Sequence, residues 1–265
     1  MTHFAMAAGQ PDQEREEDGM PVTAVEHPNA SNSPVPQSRT RLGLRAYSRL
    51  ALLLLGTATV LFLTAGTWDF PEAWAWLLGV FVPLAAVTTL FLRRDPGVVE
   101  YRLEGDRRLL APRQLARWFA PLFVLAFLVP GLDTRYGWSD VDVETVPHWL
   151  ALLADSLIVM SILFGAHVVR VTAGVRRSIP GDSAHAILST GPYHLIRHPL
   201  FAASLLAWLA TPVALGSWIA LPVFLLVTPY YVLHLRAEER QLMKRLPGYA
   251  AYCKRTPFRL VPFLW

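Results

Sequence analysis

Apolar residues occur along this chain in long runs that contain few or no charged side chains. Residues 50–68 and 73–92 contain no Asp, Glu, Lys or Arg. Each run is close to the roughly 20 residues that a helix needs to cross a bilayer. A shorter run follows at 118–132, and another at 146–169 is interrupted by Asp155. These four runs predict four membrane-spanning helices.

A last apolar segment extends from Pro199 to Leu235 and has no formal charge unless His234 is protonated. At about 1.5 Å of rise per residue, this segment is too long for a single crossing. Thr211-Pro212 and Gly216-Ser217 lie near its middle and predict a tight turn between two antiparallel helices. The sequence therefore predicts an all-α, polytopic integral membrane bundle of about six spans, the last two forming a C-terminal hairpin.

Basic residues lie at the ends of alternate runs. Arginine-rich segments occur at 39–49, 93–117, 170–197 and 236–259, whereas the loops between the other run ends are acidic or uncharged. Cytoplasmic loops of membrane proteins are enriched in Lys and Arg. With an even number of spans, all four basic segments fall on the cytoplasmic side. We therefore expect both the N- and the C-terminus to be cytoplasmic.

Composition agrees with a lipid-embedded chain. Hydrophobic residues make up 53% of the sequence and charged residues 17%, against about 25% in an ordinary soluble domain. The net charge is +4, but the basic residues lie beside apolar runs, which indicates anionic membrane lipids as partners and no nucleic acid. The single cysteine, Cys253, excludes an internal disulfide framework and a Cys-rich zinc site, and no metal ligand set is expected.

The chain divides into three regions by composition. Residues 1–40 are acidic and rich in Pro, Ser and Asn, which predicts a disordered tail because too little apolar surface is available to offset ordering entropy. Residues 41–169 contain the first four predicted spans. Residues 170–265 form the predicted C-terminal core, in which a polar segment, GPYHLIRHP at 191–199, stands within an otherwise apolar sequence.

The predicted hairpin has a chemical consequence. Its two ends return to the same membrane face, so His198 at its start should lie beside Glu238 at its end. Tyr193 and Phe201 would contribute aromatic walls to the same place. A pocket of this kind at membrane level suits a small charged ligand that meets a lipidic one.

Three motifs in the C-terminal third occur in a fixed order: HAILSTGPYHLIRHPLF at 185–201, AEERQL at 237–242, and GYAAYCKRTPFRLVPFLW at 248–265. Together they resemble the isoprenylcysteine carboxyl methyltransferase and phospholipid methyltransferase superfamily. RRDPGVVEYR at 93–102 and GLDTRYGW at 131–138 are similar to a bacterial branch of it. The resemblance implies a membrane enzyme that transfers a methyl group from S-adenosyl-L-methionine to a lipidic or small hydrophobic acceptor, with the cofactor enclosed on the cytoplasmic face.

Carried over by position, the resemblance also implies a set of site residues. The cofactor-binding residues would be His185, Ala186, Ile187, Leu188, Tyr193, His198, Pro199, Phe201, Glu238 and Glu239. Glu238, the first of the pair, would hold the ammonium group of the cofactor, with Glu239 as the alternative because the register across the pair is open. The sulfonium is already an activated donor, so positioning and exclusion of water supply most of the acceleration.

The acceptor determines which residues would assist catalysis. Arg197 and Arg236 are candidates if the acceptor is a carboxylate, and His234 or Glu239 if it is an amine that must lose a proton. The chain departs from the family pattern in three places: Phe201 replaces a tyrosine, and His234 stands where the family has an arginine, with Arg236 half a turn away. A glutamine ligand that usually precedes the HAIL-like stretch is also missing, since the corresponding region reads Arg176, Arg177, Ser178. These departures bear on the acceptor more than on the cofactor.

Two other functions fit parts of the pattern. NADPH-dependent sterol and steroid reductases have a related hairpin, but they generally carry Asn-Tyr after Arg-His-Pro, where this chain has Leu200-Phe201. A non-enzymatic transporter or membrane scaffold that retains the hairpin would bind no cofactor. The methyltransferase is the function that the whole ordered set of motifs favours.

Overall fold

The computed structural model describes residues 39–104, 113–139, 146–178 and 190–262, and every regular element within these ranges is helical. The α-helices, in chain order, are α1 (Arg39–Ala65), α2 (Pro71–Arg94), α3 (Pro96–Glu104), α4 (Arg113–Tyr136), α5 (His148–Ser178), α6 (Pro199–Ala214), α7 (Ala220–Leu226), α8 (Thr228–Arg245) and α9 (Tyr249–Arg255). A short 3₁₀ helix occupies Gly191–His194. The predicted tail, 1–40, lies almost wholly outside the described residues.

Among the residues that the structure describes, four helical segments are long and apolar enough to cross a membrane. They are Arg39–Ala65, Pro71–Arg94, His148–Val175 and Ala220–Lys244, the last formed by α7 and α8 together. Helix α6 is apolar but shorter, and α4 covers the predicted third run at 118–132. The prediction of an all-helical, polytopic membrane protein is confirmed. The side of the membrane on which the termini lie stays a prediction.

The helices bury one another only in part. Leu61, Trp76 and Ile158 belong to a core shared by α1, α2 and α5, to which α6 adds Ala214. In contrast, leucines on other faces, such as Leu52 and Leu63 of α1 and Leu152 and Leu163 of α5, are exposed. Exposed rows of leucine on long helices are costly in water but suit a bilayer, where lipid tails cover them.

The predicted hairpin is present, although its turn begins later than Thr211-Pro212. Helix α6 continues through both residues and ends at Ala214, so this part of the prediction is wrong. The turn follows at Leu215–Ile219, where Gly216 adopts a φ of +74°, a left-handed conformation that favours glycine. The returning segment breaks once, at Val227, because Pro229 has no N–H to continue the helix but fits the first turn of a new one.

A buried carboxylate fastens this turn to α4. Asp133, near the end of α4, accepts hydrogen bonds from the Ser139 backbone N (2.8 Å), from Ser139 Oγ (2.6 Å) and from Ser217 Oγ (2.5 Å). All three residues are buried. Asp133 therefore links the GLDTRYGW motif to the hairpin that positions the C-terminal core.

The boundary predicted between 169 and 170 falls inside α5, which runs without a break to Ser178. Helix α5 packs along α6 and also against α2. The described part of the predicted C-terminal core therefore shares a helix with the N-terminal spans, and the three-region division stays a prediction.

Candidate functional site

The polar segment before α6 lies against the C-terminal tail. After the 3₁₀ helix Gly191–His194, the Arg197 backbone N donates to Phe258 O (2.9 Å) and the His198 backbone N donates to Arg259 O (3.1 Å). Pro199 then begins α6 at a position where its missing N–H needs no partner. The tail thus holds Arg197 and His198 in place just before the helix starts.

Glu239 of α8 lies at the centre of a buried group of charges. Its Oε1 accepts a hydrogen bond from Arg197 Nη1 at 2.6 Å and lies 3.4 Å from His198 Nε2. Its Oε2 accepts from Arg259 Nε at 2.8 Å. The side chains of Arg197, His198 and Glu239 are each at most 10% exposed, whereas that of Arg259 is 32% exposed. We refer to these four residues as the Glu239 cluster.

Arg197 also connects the cluster to α9 and the tail. Its Nη1 donates to Cys253 Sγ (3.3 Å) and its Nη2 donates to Pro257 O (2.7 Å). A guanidinium with its terminal nitrogens shared among three protein acceptors is held in one orientation. This geometry makes Arg197 a positioning group for the loop, the tail and α8.

Helix α9 closes the site through two buried tyrosines. The Tyr252 hydroxyl donates to Tyr193 O at 2.8 Å, and Thr256 Oγ1 lies 3.4 Å from His194 O. Burial raises the pKa of Tyr252 to about 12 and also raises the pKa of Tyr249. Both phenols therefore stay neutral near pH 7, and Tyr252 remains a hydrogen-bond donor.

A second polar surface follows one face of α8 beside the Glu239 cluster. His234, Glu238 and Gln241 are spaced four and three residues apart, so they share this face. His234 Nδ1 and Gln241 Oε1 are buried and have no hydrogen-bond partner, and one carboxylate oxygen of Glu238 is also buried. The His234 ring lies 5.4 Å from that of Phe201, between centroids. Buried polar atoms of this kind indicate a place where a polar ligand could bind.

The structure brings together most of the predicted site residues that it describes. His198 lies beside the glutamate pair, as the hairpin predicts, and its contact is with Glu239. Tyr193 reaches α5, where its hydroxyl is 3.2 Å from Thr172 Oγ1. Arg236 is exposed on α8. The predicted residues His185, Ala186, Ile187 and Leu188 lie outside the described residues.

Sequence reasoning missed two members of this arrangement. The sequence shows Arg259 only as one of the basic residues of the tail, yet it binds the central glutamate. Gln241 lies in the AEERQL motif and shares the polar face of α8. Its spacing of seven from His234, two helical turns, was the signal that could have found it. No local signal marked Arg259, because its role depends on where the tail packs.

Comparison with known proteins bears on the same part of the chain. Residues 149–249 match the family model of phospholipid methyltransferase. The resemblance to the isoprenylcysteine and phospholipid methyltransferase superfamily is thereby confirmed for this segment. The phospholipid methyltransferase match includes α6 to α8, the glutamate pair and the polar segment before α6. It ends before most of α9 and the tail.

Two curated proteins are similar to parts of the chain. The Delta(14)-sterol reductase TM7SF2 of Mus musculus is 30% identical over 91 residues, which cover 33% of this chain and 22% of the mouse protein. The cobalt-zinc-cadmium resistance protein CzcN of Cupriavidus metallidurans is 34% identical over 80 residues, which cover 30% of this chain and 37% of the bacterial protein. In the part of this chain that the structure describes, no three His, Cys, Asp or Glu side chains are grouped so that they could hold a metal ion.

Proposed function

We propose that this protein is an integral membrane methyltransferase that uses S-adenosyl-L-methionine and methylates a lipidic or small hydrophobic acceptor. The observation that supports it most is the pairing of the Glu239 cluster with the buried polar face of α8. Both lie at the start of α6, and their α6 and α8 residues fall within the segment that matches the phospholipid methyltransferase family.

The two glutamates have different surroundings. Both oxygens of Glu239 accept hydrogen bonds from arginines, so this carboxylate is already neutralised by the protein. Glu238 instead points along the face that carries His234 and Gln241. We therefore assign the binding of the ammonium group of the cofactor to Glu238, since a carboxylate in a partly dry site binds a cation strongly.

The residues present fit this cofactor. His234 Nδ1 and Gln241 Oε1 supply polar atoms for its amino-acid and sugar groups, while Tyr193 and Phe201 supply aromatic surface for its base. Pro199, and the His185–Leu188 segment beyond the described residues, are proposed to complete the enclosure. When bound, S-adenosyl-L-methionine supplies a methyl group on a positively charged sulfur.

The protein's own residues then have mainly positioning roles. Arg197, His198 and Arg259 fix α8 and the tail around Glu239, which keeps Glu238 in register with the start of α6. Alignment of donor and acceptor and removal of water account for most of the acceleration. For an amine acceptor, His234 is the proposed base, and for a carboxylate acceptor, exposed Arg236 is the proposed cation.

A binding experiment tests this proposal. Full-length protein purified in detergent should bind S-adenosylhomocysteine by isothermal titration calorimetry. The Glu238→Gln variant should bind it about 10- to 100-fold more weakly, because a hydrogen bond to a charged group contributes about 1.5–3 kcal/mol. Arg240→Gln, an exposed neighbour on α8, is the matched control and should bind normally. Equal affinities of wild type and Glu238→Gln would refute the assignment.

The similarity to the mouse sterol reductase supports a second candidate, an NADPH-dependent reductase of sterol-like substrates. The same calorimeter separates the two candidates. Saturable NADPH binding without S-adenosylhomocysteine binding would establish the reductase and reject the methyltransferase. Binding of S-adenosylhomocysteine alone would do the reverse.

A further inference from the structure

An elongated cavity of about 580 Å³ lies between α1, α2, α3, α5 and α6, and Phe127 of α4 also lines it. Its volume falls in the range of about 300–1,000 Å³ that is typical of small-molecule sites. Along α2 it is lined from Trp76 to Phe91, a distance of about 22 Å at the helical rise. The cavity therefore extends through most of the thickness of a hydrocarbon core, which is about 30 Å.

The interior of the cavity is apolar. Helix α6 presents Leu200, Ala203, Ala207 and Trp208 towards it, and α5 presents Ile158 and Gly165. His198 and Phe201, at the start of the same helix, contact Glu239 and His234 respectively. The cavity and the candidate site therefore both border α6. Since the apolar walls of the cavity offer few hydrogen bonds, the part of any occupant that lies inside must be hydrocarbon.

One end of the cavity is positively charged. Arg49 of α1 and Arg102 of α3 line it there and are exposed, and they are the charged residues of the lining within the described part of the chain. Arg49 Nη1 donates to the backbone oxygen of Leu103, so it connects α1 with α3 across this end. A guanidinium has five N–H donors, which leaves Arg49 able to bind an anion as well.

We propose that this cavity binds the hydrocarbon chain of a single-chain anionic amphiphile, such as a fatty-acid-like lipid, with its head group held by Arg49 and Arg102. The length of the apolar cavity accounts for the hydrocarbon chain of the ligand. The two arginines at one end of the cavity account for the negative charge of its head group. Helices α1 to α3 precede the segment matched by the methyltransferase family, so the site depends on the N-terminal half of this protein. It does not rest on the proposed function.

Tryptophan fluorescence of the full-length protein in detergent provides the test, because Trp76 and Trp208 both line the cavity. A brominated stearic acid should quench the fluorescence saturably, and Trp208→Phe should lose part of the quenching. Ala207→Phe, which fills the cavity, should weaken binding at least tenfold. Leu206→Phe, on the exposed side of α6, should leave it unchanged.

Binding of the head group is tested by comparing the brominated acid with its methyl ester, which has no negative charge. The double variant Arg49→Gln/Arg102→Gln should bind the acid about tenfold more weakly and the ester as well as wild type does. The control Arg45→Gln, also exposed on α1, should affect neither. Ala203→Leu is a milder second variant in case Ala207→Phe does not fold, and the thermal unfolding temperature of each variant reports its fold.

Two results would overturn the proposal. Quenching that does not saturate, or that is the same in wild type, Ala207→Phe and Ala203→Leu, would show that the probe dissolves in the detergent and not in the cavity. Equal effects of the arginine substitutions on acid and ester would reject the anionic head group. Neither result depends on S-adenosylhomocysteine binding, which is measured separately.

Discussion

Replacing Glu239 by Gln tests whether the Glu239 cluster supports the C-terminal core. The substitution keeps the size of the side chain and removes its charge. Arg197, whose side chain is 9% exposed, then loses its anionic partner while it remains enclosed by α8, α9 and the tail. We expect this variant to be the most destabilised single substitution in the candidate site.

The expected loss of stability depends on how deeply each ion pair of Glu239 is buried. Removing one partner of a buried ion pair costs about 3–5 kcal/mol. Because the glutamine oxygen still accepts one hydrogen bond and Arg197 keeps its bond to Pro257 O, the lower value of about 3 kcal/mol applies. At about 2–4 °C per kcal/mol for a chain of this size, the unfolding temperature should fall by about 6–12 °C. The Arg259→Gln variant should lose about 1 kcal/mol or less, because a third of that side chain is exposed to solvent screening.

Two readouts measure this effect in detergent. The first is the unfolding temperature at a fixed scan rate, since membrane proteins often unfold irreversibly. The second is the alkylation rate of Cys253, the only cysteine in the chain, whose sulfur lies 3.3 Å from Arg197 Nη1. Alkylation should become faster in Glu239→Gln because the packing of α9 against Arg197 loosens. Arg240→Gln, the exposed next residue, is the control for both readouts.

The result that would refute this reasoning is specific. If Glu239→Gln unfolds at the same temperature as Arg240→Gln and its Cys253 alkylates at the wild-type rate, the cluster does not hold the core together. Glu239 would then be available to a ligand, and the assignment of the ammonium contact to Glu238 would lose its main support.

Three further predictions concern stability, each measured by thermal unfolding. Gly131→Ala should cost about 1–3 kcal/mol of stability, because the new methyl group would collide with Thr64 Oγ1 and lie 2.7 Å from Leu61 O. Gly56→Ala, which has open space around it, is the control and should be neutral or stabilising. Equal effects of the two substitutions would contradict the close approach of α1 and α4. Asp133→Asn should cost about 1–3 kcal/mol, since an amide has one acceptor oxygen and cannot accept all three hydrogen bonds that the two carboxylate oxygens accept from Ser139 and Ser217, and no change would reject the link to the hairpin turn. Tyr252→Phe should cost about 1 kcal/mol and accelerate Cys253 alkylation, and an unchanged alkylation rate would show that its bond to Tyr193 O does not hold α9 in place.

Much of the fold follows from the sequence because the relevant physics is averaged over long segments. In a bilayer, the backbone N–H and C=O groups of a run of about 20 apolar residues must form their hydrogen bonds within a helix. The charged residues that flank the run stay outside the bilayer. Errors arise where one residue decides the outcome. Thr211-Pro212 has the composition of a turn, yet α6 continues through it to Ala214, because the bundle tolerates a buried proline and places the break at Gly216.

In the candidate site too, one feature follows from the long hairpin and another depends on single residues. The hairpin alone predicts that His198 returns to the glutamate pair, and this proximity is observed. Which glutamate faces inwards could not be predicted, because adjacent residues on a helix point about 100° apart and the rotation of α8 is set by its partners. Those partners are Arg197 and Arg259, and the second comes from a tail whose packing no local pattern specifies.

Two of the three departures from the family pattern are neighbours in space, which a list of motifs does not reveal. Phe201, in place of a tyrosine, and His234, in place of an arginine, are in contact, with ring centroids 5.4 Å apart and ring planes tilted by 41°. The family's hydroxyl and guanidinium are thus both absent from one wall, and two aromatic rings occupy that wall instead. His234 also contacts Tyr230, which extends the aromatic surface towards Phe123 of α4. Of the polar residues that we propose for the cofactor, Glu238 and Gln241 lie further along α8. These two departures therefore lie together where the aromatic surface extends towards α4, and we propose that a hydrophobic acceptor approaches from this side.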